Sequence, residues 1–107
     1  MAENPQPGSE SADEESDQSL RVEGLLHYSV QMFAQFAWQK MGFLPDPATG
    51  KPDEDLAQAR VAIDVLSRLV EHLEPLLSEG ERREVQSLLS DLRINFARKS
   101  AAAPRED

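Results

Sequence analysis

The chain of 107 residues contains no cysteine, and this absence removes several kinds of site at once. Without a thiol there can be no disulfide, no thiolate-bound metal and no cysteine nucleophile. Apolar runs are also short, and none approaches the roughly 18 residues that a membrane-spanning helix requires. The first residues lack the basic and apolar segments of a secretory signal. We therefore expect a cytoplasmic protein with no membrane span.

Basic residues are few: 11 Lys and Arg stand against 20 Asp and Glu, for a net charge of −9. The only basic doublets are Arg82-Arg83 and Arg98-Lys99, and the first of them is flanked by glutamates. Nucleic-acid binding requires clustered lysine and arginine to neutralise phosphates. No nucleic-acid partner is expected.

The acidity is concentrated at one end of the chain. Residues 1–19 hold six acids and no Lys or Arg, a composition that cannot bury enough apolar surface to offset chain entropy. We predict a disordered acidic arm over 1–19 and a disordered tail over 100–107. Residues 20–99 carry twelve acids and ten bases, so this region is nearly neutral, and its length suits one small core.

Apolar residues recur with a helical period throughout the body, which predicts three helices at about residues 21–41, 54–74 and 80–98. The second helix carries a heptad seam, and Pro75 should end it. Ser78 and Glu81 fit a capping box that begins the third helix. The short connection makes helices two and three antiparallel neighbours. The expected fold is all-α, a helical hairpin of helices two and three plus an apolar helix one.

The segment between helices one and two reads as an ordered corner. Gly42 occupies the position where a helix end favours a left-handed residue, and the resulting geometry would bring Phe43 against Trp38. Pro45 prevents the helix from continuing.

A type I turn follows, since Asp46 can accept backbone N–H groups, Pro47 presets φ and Gly50 supplies a positive φ. The second helix then needs an N-cap. Asp53 is the first choice, and Asp55 is an alternative because Gln58 follows it at the spacing of a capping box.

Residues 41–50, "MGFLPDPATG", are followed by Asp-Leu-x-x-Ala-Arg at 55–60 and Ile-Asp at 63–64. This pattern resembles the signature of a small bacterial family of domains of unknown function, over residues 25–96. The chain departs from that pattern in "EPLLSEGER", where the family has Thr/Ser-Pro-Glu-Glu at a helix start. The resemblance therefore does not define the first residue of helix three. The resemblance implies an all-helical domain with a polar N-terminal extension and no established activity. Relatives encoded near translation genes imply a second role, as a translation- or ribosome-associated accessory protein.

The sequence contains no clear catalytic or ligand-binding motif. His27 and His72 have no histidine or carboxylate partner at the spacing of a metal motif. Asp46, Asp53 and Asp55 could ligate calcium, but the spacing of a calcium loop is missing. We expect no enzyme and no cofactor, and keep a small metal- or ligand-binding protein as an alternative.

Five of the six aromatic residues lie between positions 28 and 43, on or beside a helix that is apolar over most of its circumference. Aromatic residues and methionine are enriched at protein interfaces. We therefore predict a non-catalytic self-association or interaction module. It would form a homodimer through helix one or the seam of helix two, or bind a different protein through helix one. The predicted interface residues are Tyr28, Met32, Phe33, Phe36, Trp38 and Phe43.

Overall fold

The computed structural model describes residues 21–102, and over this range the chain is helical with no strand. Three α-helices follow one another: α1 is Val22–Lys40, α2 is Leu56–Leu73 and α3 is Glu79–Ala102. A 3-10 turn, Glu74–Leu76, joins α2 to α3. The predicted all-α three-helix architecture is confirmed.

Helix α2 is the centre of the fold, because it packs against both α1 and α3 while α1 touches α3 much less. The most extensive contact is that of α1 with α2, whereas the predicted fold was built on a hairpin of helices two and three. Small residues explain the difference: Ala34 and Ala37 on α1 and Ala59 and Ala62 on α2 are all buried, and small side chains at a contact let helix axes approach. The rest of the core consists of Val30, Met41, Ile63, Leu66, Val70, Leu73, Val85, Leu89 and Leu92.

The start of α2 corrects one prediction. Asp55 is the N-cap, with extended backbone, and its carboxylate accepts a hydrogen bond of 3.2 Å from the N–H of Gln58. The first choice, Asp53, is wrong: its carboxylate lies 2.7 Å from the ammonium of Lys40. The N–H of Asp55 also donates to the carbonyl of Lys40, at 2.7 Å. This bond between the end of α1 and the entry to α2 explains why the helix begins where it does.

The start of α3 follows the predicted capping box. The N–H of Ser78 donates to the carboxylate of Glu81 at 2.9 Å, and the N–H of Glu81 donates to the hydroxyl of Ser78 at 3.2 Å. The bond from the Ser78 N–H to the carboxylate is the main cause that lowers the pKa of Glu81, and the Ser78 side chain adds to it. Pro75 lies within the 3-10 turn that follows α2, so its predicted role is confirmed.

The end of α3 differs from the prediction. The helix continues through Ala102 instead of ending at 98, so residues 100–102 are helical and the predicted disordered tail does not begin at 100. The physical reason is local, since alanine is the best helix former and "SAAA" contains no breaker before Pro104. Residues 103–107 and the predicted acidic arm over 1–19 lie outside the described residues.

Candidate interaction surface

The corner, residues 41–55, begins with the predicted helix-ending motif. Gly42 has a φ of +89°. The N–H of Phe43 donates to the carbonyl of Trp38 at 2.9 Å, and that of Gly42 donates to the carbonyl of Gln39 at 3.0 Å. This is the hydrogen-bond pattern of a Schellman motif. The rings of Trp38 and Phe43 lie nearly perpendicular with centroids 5.5 Å apart, which confirms the predicted contact.

The turn that follows is organised by Asp46, between Pro45 and Pro47. Its carboxylate accepts from the N–H of Ala48 at 2.8 Å, and its carbonyl accepts from the N–H of Gly50 at 2.7 Å. Gly50 has a φ of +73°, in the left-handed region that glycine alone adopts without strain. The predicted turn and its positive-φ glycine are confirmed.

Two lysines fasten the corner to α1 and α3. The pKa of Lys40 is raised, chiefly by its hydrogen bond to Asp53. The ammonium of Lys99, on α3, lies 3.1 Å from the carboxylate of Glu54 and 5.1 Å from the centre of the Phe43 ring. The four carboxylates of the corner are thus engaged in contacts within the chain.

The residues considered as metal ligands are engaged in separate contacts and do not converge on one site. Asp46, Asp53 and Asp55 each have a different protein partner: a turn N–H, a lysine ammonium and a helix N–H. His27 and His72 are both exposed, and His27 is near enough to Glu81 to contribute to lowering its pKa. Across residues 21–102, no group of three or more His, Asp or Glu side chains is placed to hold a metal ion.

A different arrangement is found along the outside of α1 and α2. Six large apolar side chains remain in contact with solvent there, and we call this surface the open face. Its exposed fractions are 60% for Leu25, 64% for Tyr28, 52% for Met32, 37% for Phe36, 60% for Val61 and 36% for Val65.

The position of α3 explains why this face is open. Ile63 is buried in the core that α3 completes, and the guanidinium of Arg93 on α3 donates to the hydroxyl of Ser67 at 2.8 Å. With 3.6 residues per turn, Val61 lies about 160° around α2 from Ile63. Phe36 lies about 160° around α1 from Trp38 by the same rule. Helix α3 therefore covers one side of the α1–α2 pair, and the open face lies on the other.

A groove between α1 and α2 divides the open face and contains a cavity of about 340 Å³. Five of its six lining side chains are apolar, and Gln58 supplies the one polar group. The lining residues are Met32, Phe33, Phe36, Gln58, Val61 and Ala62. The cavity lining is therefore mostly apolar, with one side chain that can form a hydrogen bond.

The open face is electrically neutral along α1. From Gly24 to Gln39 the sequence contains no Asp, Glu, Lys or Arg. The first charge beyond this stretch belongs to Lys40, whose ammonium lies 5.5 Å from the centre of the Phe36 ring. A neutral apolar surface favours an apolar partner, because burying an unpaired charge is costly.

The structure distributes the six predicted interface residues over two places. Tyr28, Met32 and Phe36 lie on the open face, and Phe33 is half-buried beside them in the cavity wall. Trp38 and Phe43 pack against each other at the corner.

Three members of the open face were absent from the predicted interface set: Leu25, Val61 and Val65. The available signal was the spacing of the two valines, which are four residues apart and off the heptad seam of α2. That seam is buried inside the fold at Ala59, Ile63, Leu66, Val70 and Leu73. The alternative that assigned the dimer contact to the seam is therefore wrong.

Within residues 21–102, no helix is long and apolar enough to cross a membrane. Comparison with curated proteins and with solved structures returned no match. Residues 26–98 match the model of a protein family described as "Domain of unknown function (DUF1844)". The match covers 73 of the 107 residues, including the corner and almost all of the three helices. The chain therefore belongs to the DUF1844 family of domains of unknown function.

Proposed function

We propose that this chain is a non-catalytic, cytoplasmic interaction module that associates with itself as a homodimer through the open face. The observation that carries the proposal is the set of six exposed apolar side chains on one side of the α1–α2 pair, with no charged residue along the α1 part from Gly24 to Gln39. Fully burying a large apolar side chain contributes about 1.5–3 kcal/mol. Association that covers this face therefore has a substantial driving force.

The size of the face suits a dimer. Helices of 18 and 19 residues are about 28 Å long, and two packed axes lie about 8–10 Å apart. A stable interface buries about 800 Å² on each partner. One side of a layer made of two such helices has a surface area of about that size.

The electrostatics of the described residues support a binding role over a catalytic one. The raised pKa of Lys40 and the lowered pKa of Glu81 belong to a half-buried lysine and an exposed glutamate. Their causes are local hydrogen bonds that build the corner and the capping box. A catalytic group is more often shifted by burial in a cleft beside a second titratable group.

The test is the mass of the full chain in solution, measured by light scattering after gel filtration over a dilution series. Met32→Asp buries an unpaired charge in the proposed interface, and Ile94→Asp is the matched control. Ile94 is similarly exposed, at 50% against 52%, and lies on α3 about 160° around the helix from the buried Leu92.

We expect the wild type and Ile94→Asp to be dimers at tens of micromolar and Met32→Asp to be a monomer with unchanged helical circular dichroism. A wild-type monomer at that concentration would contradict the proposal. Equal dimerisation of the two aspartate variants would contradict the assignment of the face.

A further inference from the structure

We propose that two copies of the chain pair their α1 helices in antiparallel orientation about a two-fold axis at Met32, so that each Tyr28 enters the cavity of the other copy. This inference rests on the self-association proposed above and adds the register of the interface. In this pairing the open face is self-complementary, because each copy supplies both a tyrosine and the cavity that receives the other copy's tyrosine.

Tyr28 and the cavity are the two features that this pairing matches. Tyr28 is the most exposed of the six side chains, at 64%, and it is not part of the lining of its own cavity. It lies eight residues, or about 12 Å along the helix, from Phe36 in the cavity wall. A second copy of the chain can bring a tyrosine to the cavity that the first copy's own tyrosine does not fill.

Symmetry then selects the orientation. About an axis at Met32, a residue n positions before it faces the residue n positions after it, so Tyr28 faces Phe36 of the second copy. Both cavities are filled by one isologous contact, as two-fold symmetry requires. A parallel pairing would place Tyr28 against Tyr28 and leave both cavities empty.

The register follows from the same comparison. An axis at Ser29 would place Tyr28 opposite Val30, which is fully buried in the core, so the tyrosine would have no site to enter. An axis at Met32 also places Leu25 opposite Gln39, which continues the contact for a further turn at each end.

The hydroxyl of the entering tyrosine also has a partner. A buried tyrosine O–H usually finds a hydrogen bond, and Gln58 supplies the polar group of the cavity lining. We assign the amide of Gln58 in the second copy as the partner of the Tyr28 hydroxyl. Two-fold symmetry places two such bonds in each dimer, and a net contribution of about 0.5–1.5 kcal/mol from each predicts that Tyr28→Phe weakens the dimer by about 5- to 150-fold.

Because the chain has no cysteine, introduced thiols report the register without background. Single variants Met32→Cys, Ser29→Cys, Leu25→Cys and Gln39→Cys are treated with a short bis-maleimide. We expect Met32→Cys to be linked into a covalent dimer far more completely than Ser29→Cys. We also expect Leu25→Cys mixed with Gln39→Cys to be linked more completely than either variant alone.

Preferential linking of Ser29→Cys, or of Leu25→Cys to itself, would overturn the register or the antiparallel orientation. Light scattering of the unlinked variants separates the two proposals. A monomeric wild type removes the self-association itself, whereas a dimer with the wrong linking pattern removes the pairing at Met32 alone.

A double-mutant cycle tests the tyrosine–glutamine contact. Tyr28→Phe should raise the dimer dissociation constant in the wild type and leave it nearly unchanged in a Gln58→Leu background, because the hydrogen bond is already lost there. Equal effects of Tyr28→Phe in both backgrounds would contradict the assigned contact.

Discussion

The corner and the open face begin on the same helix and use their side chains differently. In the corner, carboxylates and ammonium groups contact one another or backbone N–H groups, and the glycines adopt the positive φ values that the turns need. On the open face, six large apolar side chains extend from two helices with no covering element among residues 21–102. The carboxylates of the first region have partners within the chain, whereas the apolar side chains of the second stay exposed to solvent.

The comparison shows that the region with the most unusual composition is not the region with the largest exposed apolar surface. The corner has an unusual composition, rich in proline, glycine and aspartate. These residues are explained by the turns, caps and ion pairs that they form within the chain. The open face is formed by ordinary helical residues, and it is the region whose burial would lower the free energy of the chain. We therefore expect changes in the corner to alter folding stability and changes on the open face to alter association.

The largest effect is expected for Val61→Asp, which tests whether α2 belongs to the association surface. Placing an unpaired carboxylate in a buried interface costs several kcal/mol, so we expect the dimer dissociation constant to rise by at least about 100-fold. Val61 is exposed in one chain, so the helical content should be unchanged. Sedimentation equilibrium measures the constant, and dimerisation equal to that of Ile94→Asp would limit the surface to α1.

The next effect is expected for Gly42→Ala in the corner. The φ of +89° is strained for alanine, while the nearest atom to an added Cβ would be 3.7 Å away, an ordinary contact. We expect a loss of about 1–2 kcal/mol in the free energy of unfolding, measured by urea denaturation.

Two other glycines provide the comparison for Gly42→Ala. Gly50→Ala should cost about the same, because Gly50 has a φ of +73° and open space around it. Gly80→Ala lies in α3 with open space and should be neutral or stabilising by up to about 1 kcal/mol. Similar losses at Gly42 and Gly80 would show that φ is not the cause.

A third prediction concerns the N-caps of α2 and α3. Ser78→Ala and Asp55→Ala should each cost about 1 kcal/mol, because each removes a side-chain acceptor from the first turn of a helix. Asp53→Ala should cost less, and its effect should disappear at high salt, because it removes an exposed ion pair with Lys40. Urea denaturation at low and high salt makes the comparison. A larger loss for Asp53→Ala than for Asp55→Ala would contradict the N-cap assigned here.

The smallest effect is expected from the titration of Glu81. Its pKa is lowered in the folded chain from the ordinary 4.5, so its contribution to stability is complete above that value. The contribution is lost as the pH falls through the lower folded value. Glu81→Gln should retain the cap and remove this part of the pH dependence. Denaturation of both proteins at neutral and acidic pH tests the sign, and an unchanged pH dependence would contradict it.

Much of the local structure could be predicted because it depends on residues close together in the chain. The contact of Phe43 with Trp38 follows from a helix end and one glycine, and the capping box of Ser78 and Glu81 spans four positions. The choice between Asp53 and Asp55 could not be made in this way. It depends on a hydrogen bond from Asp55 to Lys40 across the corner, and both aspartates are of a residue type that caps helices.

Three helices, the turns between them and a surplus of apolar side chains on α1 could be inferred from the sequence, because helical period and turn chemistry act over a few residues. Which part of that surplus stays exposed depends on how the three helices pack. This packing directed Trp38 and Phe43 to the corner, left Tyr28, Met32 and Phe36 outside, and added Val61 and Val65 from α2. The physical reason is that α3 packs on one side of the α1–α2 pair through residues distant in sequence, and no local pattern reveals which side is covered.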